Sequence, residues 1–537
     1  MASLNFKGKS AVWNHHLSVP YHTFEKDKKS SLSGKNENEN LLIEGDNLLA
    51  LKALLPKYQG KVQCIYIDPP YNTGEEGWAY NDNVNNPIIK DWIGKTVGKE
   101  GDDLTRHDKW LCMMTPRLKL LRELLSDEGV IFISIDENEV HNLISLMNEI
   151  FGIENHIANL VWKKRNGGGN DSQFFAVDHE YILVYVNEKT KQDKWRVSYN
   201  ETYLKRYKEE DSISKYYWDT LSRPGLNNPI IYDVVCPDGK IIKNGTWQVS
   251  KKTFDIKLQL GDIKLEKNKS NTWTVFHKIR QPSGKVLRSI LSMEDMLFID
   301  STTNKDAADS MAELFGKKVF DNPKPPELIK RLLDTVADED AIILDSFAGS
   351  GTTGQAVLEL NQVKGGNRKF ILVQLPETLA EKTQAKAAGY DYVHEITRDR
   401  IKKVVAKDKL DAGFTYYKLG PSIDGKNLLS GKNLPTWDSF AKYAHYLATG
   451  KPVEEVKKPK ESWEIVSGTK GTGVYLIYKD KIEDLKNLAI TRDWLESIKD
   501  KKGKKIVYAP ACFLDKEVLD EYEISFVQIP FNLFSRS

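Results

Sequence analysis

Cysteine is scarce in this chain, and long apolar runs are absent. The 537 residues include four cysteines, which lie far apart and have the spacing of neither a metal site nor a disulfide framework. Such usage is typical of a reducing cytosol. No apolar run approaches the ~18 residues that a membrane span needs. The first residues also lack the apolar core of a signal peptide. We therefore expect a cytoplasmic protein without a metal site or membrane contact.

A strong excess of charge is also lacking, since the net charge is +2. Any basic surface must therefore be local. Residues 190–290 contain 20 Lys and Arg against 11 Asp and Glu, a net charge of +9, and tryptophans and tyrosines are interleaved with these lysines. A basic, aromatic, turn-rich insert indicates nucleic-acid binding. The alternative interpretation is an ordinary solvated β-domain.

The segment Cys64–Asn72 is the most informative stretch. Its apolar half predicts a buried strand, which ends in Asp68-Pro69-Pro70-Tyr71. The prolines fix φ and stop further strand pairing, so Asp68 and Tyr71 lie on a stiff turn at a strand's carboxyl end. Open α/β sheets bind their ligands at that edge. The alternative is a strand-terminating turn with a solvated Asp68.

This turn has chemistry that suits an aromatic amine. The exocyclic amine of adenine is a poor nucleophile, because its lone pair is delocalised into the ring. The Asp68 carboxylate and the Pro69 carbonyl can accept its two N–H groups and expose the lone pair, while Tyr71 stacks on the base. Such preorganisation favours methyl transfer without a covalent intermediate.

A second motif follows a later strand, in Asp345-Ser346-Phe347-Ala348-Gly349-Ser350-Gly351-Thr352-Thr353-Gly354. The glycines match a dinucleotide fingerprint, but no lysine follows them as in a P-loop. A nicotinamide site would require an acid at Gln374, twenty residues beyond Gly354. A glycine turn without pyrophosphate chemistry suits S-adenosylmethionine, whose carboxylate the helix N-terminus attracts.

Three further residues are candidates for the same cofactor. Lys324 is expected to pair with its carboxylate, Asp46 to accept from its adenine amine, and Gln374 to bind its hydroxyl groups. Each has a structural alternative: Lys324 as a surface charge, Asp46 as a helix cap and Gln374 as a solvated strand end. A basic glycine loop, residues 163–169, is either a mobile hairpin or a functional loop that contacts phosphate or forms a lid.

These motifs together resemble the DNA amino-methyltransferases of the β order, in which the acceptor motif comes first and the cofactor motif last. Longer matches are similar to the modification (Mod) subunits of type III restriction–modification systems. They are Glu44-Gly45-Asp46-Asn47-Leu48, Tyr66 to Gly74, Ile133 to Glu139 and Thr397-Arg398-Asp399-Arg400-Ile401. The similarity spans roughly residues 41–190 and 310–420.

The resemblance implies a set of site residues. The acceptor site would be formed by Asp68, Pro69, Pro70 and Tyr71. S-adenosylmethionine would be bound by Asp46, Lys324, Pro325, Asp345, Phe347, Gly349, Gly351, Thr352 and Gln374. The aspartate at position 68, where cytosine-N4 enzymes often have serine, favours N6 of adenine. Cytosine-N4 methylation, RNA methylation, a nicotinamide enzyme and a catalytically silent DNA-binding subunit remain alternatives.

The expected fold is α/β and Rossmann-like, with a mostly parallel methyltransferase sheet and circularly permuted motif order. We expect a β-rich target-recognition domain inserted in the sheet-forming chain and a small C-terminal α/β module. Expected partners are double-stranded DNA, a second copy of the chain and a restriction subunit with helicase or nuclease activity, in a bacterial-type cytoplasm. The expected boundaries are an arm and linker at 1–40, catalytic parts at 41–190 and 306–408, the target-recognition domain at 191–305 and the C-terminal module, for dimer or partner contacts, at 409–537. Within the first of these, residues 28–40 are rich in Lys, Asn, Glu and Ser, and we expect them to form a mobile linker.

Overall fold

The computed structural model describes residues 3–73, 105–165, 173–197, 201–222, 228–268, 270–282, 284–291, 303–431, 434–453, 472–498 and 503–529, with a few isolated residues between these ranges. They form two compact units, residues 1–194 with 288–537, and residues 195–287. The strands are β1 (His22–Lys26), β2 (Leu41–Glu44), β3 (Val62–Ile67), β4 (Leu125–Ile135), β5 (His156–Lys163), β6 (His179–Val186), β7 (Glu209–Glu210), β8 (Lys215–Thr220), β9 (Ile230–Val235), β10 (Ile241–Trp247), β11 (Ile263–Lys267), β12 (Trp273–Arg280), β13 (Ile290–Leu291), β14 (Ile342–Asp345), β15 (Lys369–Gln374), β16 (Thr415–Ser422), β17 (Thr472–Leu476), β18 (Lys504–Ala509) and β19 (Ile524–Gln528).

The helices lie between these strands. They are Lys9–Val12, His15–Ser18, Asn47–Tyr58, Arg106–Leu124, Val140–Phe151, Glu201–Leu204, Lys251–Gln259, Asn304–Phe315, Pro326–Val336, Thr352–Lys364, Gln384–Ala387, Val393–Lys407, Gly425–Ser430, Trp437–Thr449, Ile482–Leu485, Arg492–Ser497 and Lys516–Glu521, with 3₁₀ turns at Ile153–Asn155 and Lys189–Lys191.

One large sheet organises the first unit. Its strand order is β1-β16-β2-β15-β14-β3-β4-β6-β5-β13, and six of the nine neighbouring pairs are parallel. This confirms the expected α/β fold with a mostly parallel sheet. β3 and β14 are direct neighbours although about 280 residues separate them in the chain. The carboxyl ends of both strands therefore meet at one edge of the sheet.

The central strands are apolar because helices cover the sheet. β3, β14 and β15 are almost continuously hydrophobic, which is the pattern of parallel strands buried on both faces. Helices Asn47–Tyr58 and Arg106–Leu124 pack in the same core cluster as these strands. The core also contains Tyr71 and Phe347, so both candidate turns are anchored to it.

The second unit, residues 195–287, is rich in strands. It contains a two-stranded sheet of β9 and β10 and a four-stranded sheet in the order β11-β12-β8-β7. A small core of its own holds these sheets together, formed by Leu221, Val234, Trp247, Phe254, Ile263 and Val275. The unit is narrower than the range 191–305 expected for a target-recognition domain, because β13 and helix Asn304–Phe315 belong to the first unit.

Two expected boundaries do not match the packing. Residues 28–40 were expected to form a mobile linker, but Leu32 pairs with Phe414, and the Asn40 side chain bonds Gly413 and Phe370. A boundary at residue 409 would exclude β16, which pairs with β2 in the large sheet. The C-terminal α/β element is instead the parallel sheet β17-β18-β19 with its helices. Within the described ranges, no helix is long and apolar enough to cross a membrane.

Candidate active site

The acceptor turn, residues 68–71, follows β3 directly. The Trp110 indole N–H donates to the Pro70 carbonyl at 2.7 Å, which fixes the turn against helix Arg106–Leu124. The Tyr71 hydroxyl lies 2.8 Å from Asp68 Oδ1 and 3.0 Å from Glu180 Oε2. Tyr71 is therefore held between two carboxylates, and the side chain of Asp68 remains 28% exposed at the edge of the sheet.

Lys324 extends into the same group from the segment before helix Pro326–Val336. Its ammonium lies 3.0 Å from Asp68 Oδ2 and 3.2 Å from Glu180 Oε2, and 4.9 Å from the centre of the Tyr71 ring. The side chain is only 7% exposed. Lys324 was expected to meet a cofactor carboxylate, but here it contacts two carboxylates of the protein.

Burial and neighbouring charges shift the pKa values of Asp68, Glu180 and Lys324 to different extents. Burial raises the pKa of Asp68, Lys324 opposes this, and the negative Glu180 raises the pKa further. Burial would also raise the pKa of Glu180, but Lys324 and Lys164 outweigh it, so that pKa is lowered. Burial would lower the pKa of Lys324, but Asp68 and Glu180 raise it above its ordinary value. Glu180 and Lys324 are thus the firmly charged pair, and Asp68 is the carboxylate nearer to protonation.

The glycine turn follows β14, and hydrogen bonds join its backbone to side chains of neighbouring elements. Gly349 donates its N–H to Gln374 Oε1 at 2.6 Å and accepts from the Thr397 hydroxyl at 2.6 Å. The Asp345 carboxylate accepts from the Phe347 N–H and the Thr353 hydroxyl. Burial raises the pKa of Asp345 to about 7.

A buried arginine braces the same turn. Arg400, from helix Val393–Lys407, donates to the hydroxyls of Ser350 at 2.6 Å and Thr352 at 2.7 Å. Because the guanidinium has rigid, planar donors, it fixes both hydroxyls at once. The Thr397–Ile401 segment therefore contacts the glycine turn through two side chains, Thr397 and Arg400.

A single cavity of about 440 Å³ joins the acceptor turn to the glycine turn. This size lies within the range of small-molecule sites, about 300–1,000 Å³. Of the residues expected from sequence, the cavity is lined by Asp68, Pro69, Tyr71, Lys324, Asp345, Phe347, Gly349 and Thr352. The acceptor and cofactor motifs, far apart in the chain, therefore face one space.

The other expected residues do not line this cavity. Asp46 caps helix Asn47–Tyr58 through the Leu48 N–H at 2.7 Å and pairs with Arg117 at 3.2 Å. Gln374 is buried behind the glycine turn, where its carbonyl holds Gly349. Pro70, Pro325 and Gly351 shape the turns without facing the cavity: Pro325 and Gly351 are the N-caps of their helices.

Glu180 and Asp136 line the cavity but were not expected as site residues, and Lys164 lines it from the basic glycine loop. Glu180 is the one acid within the otherwise apolar or aromatic β6, and that charge in a buried strand was the available signal. Asp136 directly follows β4, so the strand-end rule that identified Asp68 also applies to it. Burial raises the pKa of Asp136 to about 6. Lys164 is the second residue of the basic loop 163–169, parts of which lie outside the described residues.

The donor set suits a zwitterionic organic molecule. Within the described ranges, no cluster of three His, Cys, Asp or Glu side chains could hold a metal ion. The cavity wall combines Asp68, Asp136, Glu180 and Asp345 with Lys164, Arg165 and Lys324. S-adenosylmethionine carries a sulfonium, an ammonium and a carboxylate, so a wall with charges of both signs and a helix N-terminus fits it.

Comparison with known proteins gives consistent matches. A family model described as DNA methylase matches residues 62–396. The chain is 34% identical to the Mod subunit of the type III restriction–modification enzyme StyLTI from Salmonella typhimurium; the match covers 72% of this chain and 61% of that protein. It is 32% identical to the EcoP15I Mod subunit from Escherichia coli, over 79% of this chain and 72% of that protein.

Among solved structures, M1.HpyAVI in complex with SAM superimposes with a TM-score of 0.29 at 14% identity, covering 67% of this chain and 98% of that one. Because this TM-score is low, the assignment of the chain to a family rests on the sequence matches alone.

Proposed function

The chain belongs to the DNA methylase family, and we propose that it transfers a methyl group from S-adenosylmethionine to N6 of an adenine flipped out of duplex DNA. The observation that carries this proposal is the shared cavity: Tyr71 on the acceptor turn and Gly349 on the glycine turn line the same space. A base inside the duplex cannot reach such a recessed site, so flipping is required.

In this proposal the acceptor turn activates the amine by hydrogen bonding. Asp68 and the Pro69 carbonyl accept the two N–H groups, which localises the nitrogen lone pair toward the donor. Asp68 later helps the proton to leave. No strong base is needed before transfer, because the amine attacks as a neutral group.

The cofactor would be held by the glycine-turn side of the cavity, with Phe347, Gly349 and Thr352 as contacts and Asp345 beneath them. S-adenosylmethionine supplies an electrophilic methyl group on a positively charged sulfur. Gln374 and Arg400 act indirectly here, since they hold the backbone of Gly349 and the hydroxyl of Thr352. In this proposal Asp46 does not contact the cofactor and serves only as the N-cap of helix Asn47–Tyr58.

The proposed assembly is supported by the names of the relatives and by the charge of the chain. We propose that the basic region within residues 191–305 recognises DNA and that the chain works with a restriction subunit, as the Mod relatives' names indicate. The C-terminal parallel sheet is our candidate surface for that subunit or for a second copy of the chain. Modification of host DNA would place this activity in a bacterial cytoplasm.

The decisive experiment measures the modified nucleoside. The chain is incubated with isotopically labelled S-adenosylmethionine and either duplex DNA or RNA, and the digested nucleosides are analysed by mass spectrometry. We expect labelled N6-methyldeoxyadenosine from the DNA and no methylated nucleoside from the RNA. Labelled N4-methyldeoxycytidine or methylated ribonucleosides would instead support the two alternative functions.

The residue test is Asp68→Asn, which keeps the side-chain shape but removes its charge. We expect methylation to fall by roughly 100-fold or more, while calorimetry shows that S-adenosylmethionine still binds. The matched control is Asp127→Asn, at an exposed ion pair with Lys191, which should behave like wild type. Undiminished turnover in Asp68→Asn contradicts the catalytic assignment.

A further inference from the structure

Glu180 occupies a fixed position beside the acceptor turn. Its side chain is 5% exposed, and its carboxylate contacts Lys324 at 3.2 Å, Lys164 at 3.4 Å and the Tyr71 hydroxyl at 3.0 Å. β6, which carries it, is hydrogen-bonded between β4 and β5. The sheet therefore holds the Glu180 carboxylate in place, and its three polar partners line the cavity.

Asp68 shares two of those partners with Glu180. Lys324 bridges Asp68 Oδ2 and Glu180 Oε2, and the Tyr71 hydroxyl lies between Asp68 Oδ1 and the same Glu180 oxygen. A hydroxyl has one proton, so Tyr71 serves one carboxylate well at a time. Both oxygens of Asp68 thus have an internal partner that competes with an incoming amine.

We propose that Glu180 is a positioning residue, which draws the Lys324 ammonium and the Tyr71 hydroxyl away from Asp68 and so frees Asp68 to accept the hydrogen bonds of the substrate amine. This inference rests on the proposed function of the site. Moving Lys324 from one carboxylate to the other keeps its charge paired throughout, whereas losing a buried partner outright would leave it uncompensated.

The charges around Glu180 determine how its removal should be read. The groups that face or electrostatically influence it come from β3, the acceptor turn, the segments that follow β4 and β5, and the segment before helix Pro326–Val336. They are Tyr66, Asp68, Tyr71, Asp136, Lys164 and Lys324. Without the charge of Glu180, Lys324 is left with Asp68 as its near anion in this group. Asp68 would also lose a negative neighbour that raises its pKa.

The test variant is Glu180→Gln, which keeps an oxygen for Tyr71 but removes the charge. We expect kcat/KM for DNA to fall by roughly 10- to 100-fold, with S-adenosylmethionine affinity retained. We also expect the acid limb of the pH profile to move to lower pH, because the pKa of Asp68 falls. Loss of packing alone would lower activity without moving that limb.

A double-mutant cycle isolates the role of Lys324. If Glu180 acts mainly through Lys324, then Glu180→Gln should have little further effect in a Lys324→Met background. Independent, additive losses from the two substitutions would overturn the proposal. So would a Glu180→Gln enzyme with the wild-type rate and pH profile.

Two variants keep the result interpretable. Glu149→Gln removes the charge from another half-buried ion pair, with Lys9 at 2.7 Å, and should leave the DNA kinetics unchanged. If Glu180→Gln does not fold, Glu180→Asp decides: a folded Asp variant should keep most activity and the wild-type acid limb, and an inactive folded one contradicts the inference. Wild-type methylation of DNA tests the proposed function separately, since the inference concerns only the ratio of variant to wild type.

Discussion

At the scale of single residues, Asp345 should make the stability of the first unit depend on pH. Burial raises its pKa from 3.8 to about 7 in the folded chain. Between these values the folded state holds a proton that the unfolded state has released, so the free energy of unfolding falls as pH rises, by at most about 1.4 kcal/mol per pH unit. We expect Asp345→Asn, which stays neutral, to gain stability relative to wild type from pH 4 to 7.

Urea unfolding at half-unit pH steps measures this difference. It should grow through that window and become constant above pH 7, where Asp345 is ionised in both states. The exposed helical Asp309→Asn is the control, and its difference from wild type should not follow this course. A pH-independent gain for Asp345→Asn would mean that its carboxyl is not held neutral by burial.

The sequence predicted the location of those candidate residues whose placement follows from local rules. Asp68 and Tyr71 end a strand, and Gly349 lies in a strand–turn–helix motif, so their meeting place at the sheet edge was predictable. Glu180 and the actual partners of Lys324 were not, because they depend on which side chains the folded sheet brings within about 3 Å. Asp46 was assigned to the cofactor, but its own helix supplies a nearer partner, the Leu48 N–H.

At the scale of elements, the glycine turn is shaped by close packing against helix Val393–Lys407. Gly351 has φ of +84°, and a Cβ there would come within 3.1 Å of Thr397 Cγ2 and 3.2 Å of its carbonyl oxygen. At Gly354 a Cβ would come within 2.7 Å of Ile401. The motif thus combines a left-handed turn at Gly351 with close packing of two helices at Gly351 and Gly354. These two requirements explain the spacing of the glycines without a bound pyrophosphate group.

Gly351→Ala should therefore be more destabilising than backbone strain alone predicts. The left-handed conformation costs about 1–2 kcal/mol for alanine, and overpacking against Thr397 adds about 1–3 kcal/mol. Gly450→Ala is the matched control, since it has φ of +64° and its Cβ would meet no described atom within 4 Å. Urea unfolding compares the stabilities of the two variants. Calorimetry should show weaker S-adenosylmethionine binding for Gly351→Ala and unchanged binding for Gly450→Ala. Equal destabilisation would remove the packing argument.

Element types were more predictable than element partners. The apolar runs of β3, β14 and β15 and the periodic helices were recognisable, because burial imposes their patterns. The segment 28–40 was misread because its Lys, Asn, Glu and Ser composition is that of a linker. Asn40 instead uses its amide to bond two backbone groups, and composition carries no information on such pairing.

At the scale of the whole molecule, the compact unit of residues 195–287 differs from the rest of the chain in net charge as well as in packing. Residues 195–287 contain 17 Lys and Arg against 10 Asp and Glu, a net charge of +7, so the remaining residues carry −5. The two ends of this unit lie side by side: Val197 and Lys285 exchange both backbone hydrogen bonds at 2.9 Å. Paired strand residues of this kind are about 5.5 Å apart. The unit therefore has the connectivity of an insertion.

Replacing residues 195–287 with a Gly/Ser linker of about four residues, which can span such a gap, should leave the first unit folded. We expect the shortened chain to retain S-adenosylmethionine binding by calorimetry but to lose most of its affinity for duplex DNA. The basic residues that release counterions from DNA would be gone, so its binding should also vary less steeply with salt than that of the full chain. Fluorescence anisotropy over a range of salt concentrations measures both properties, with the full chain as control. A shortened chain that keeps the full affinity and salt slope would assign DNA binding to the first unit instead.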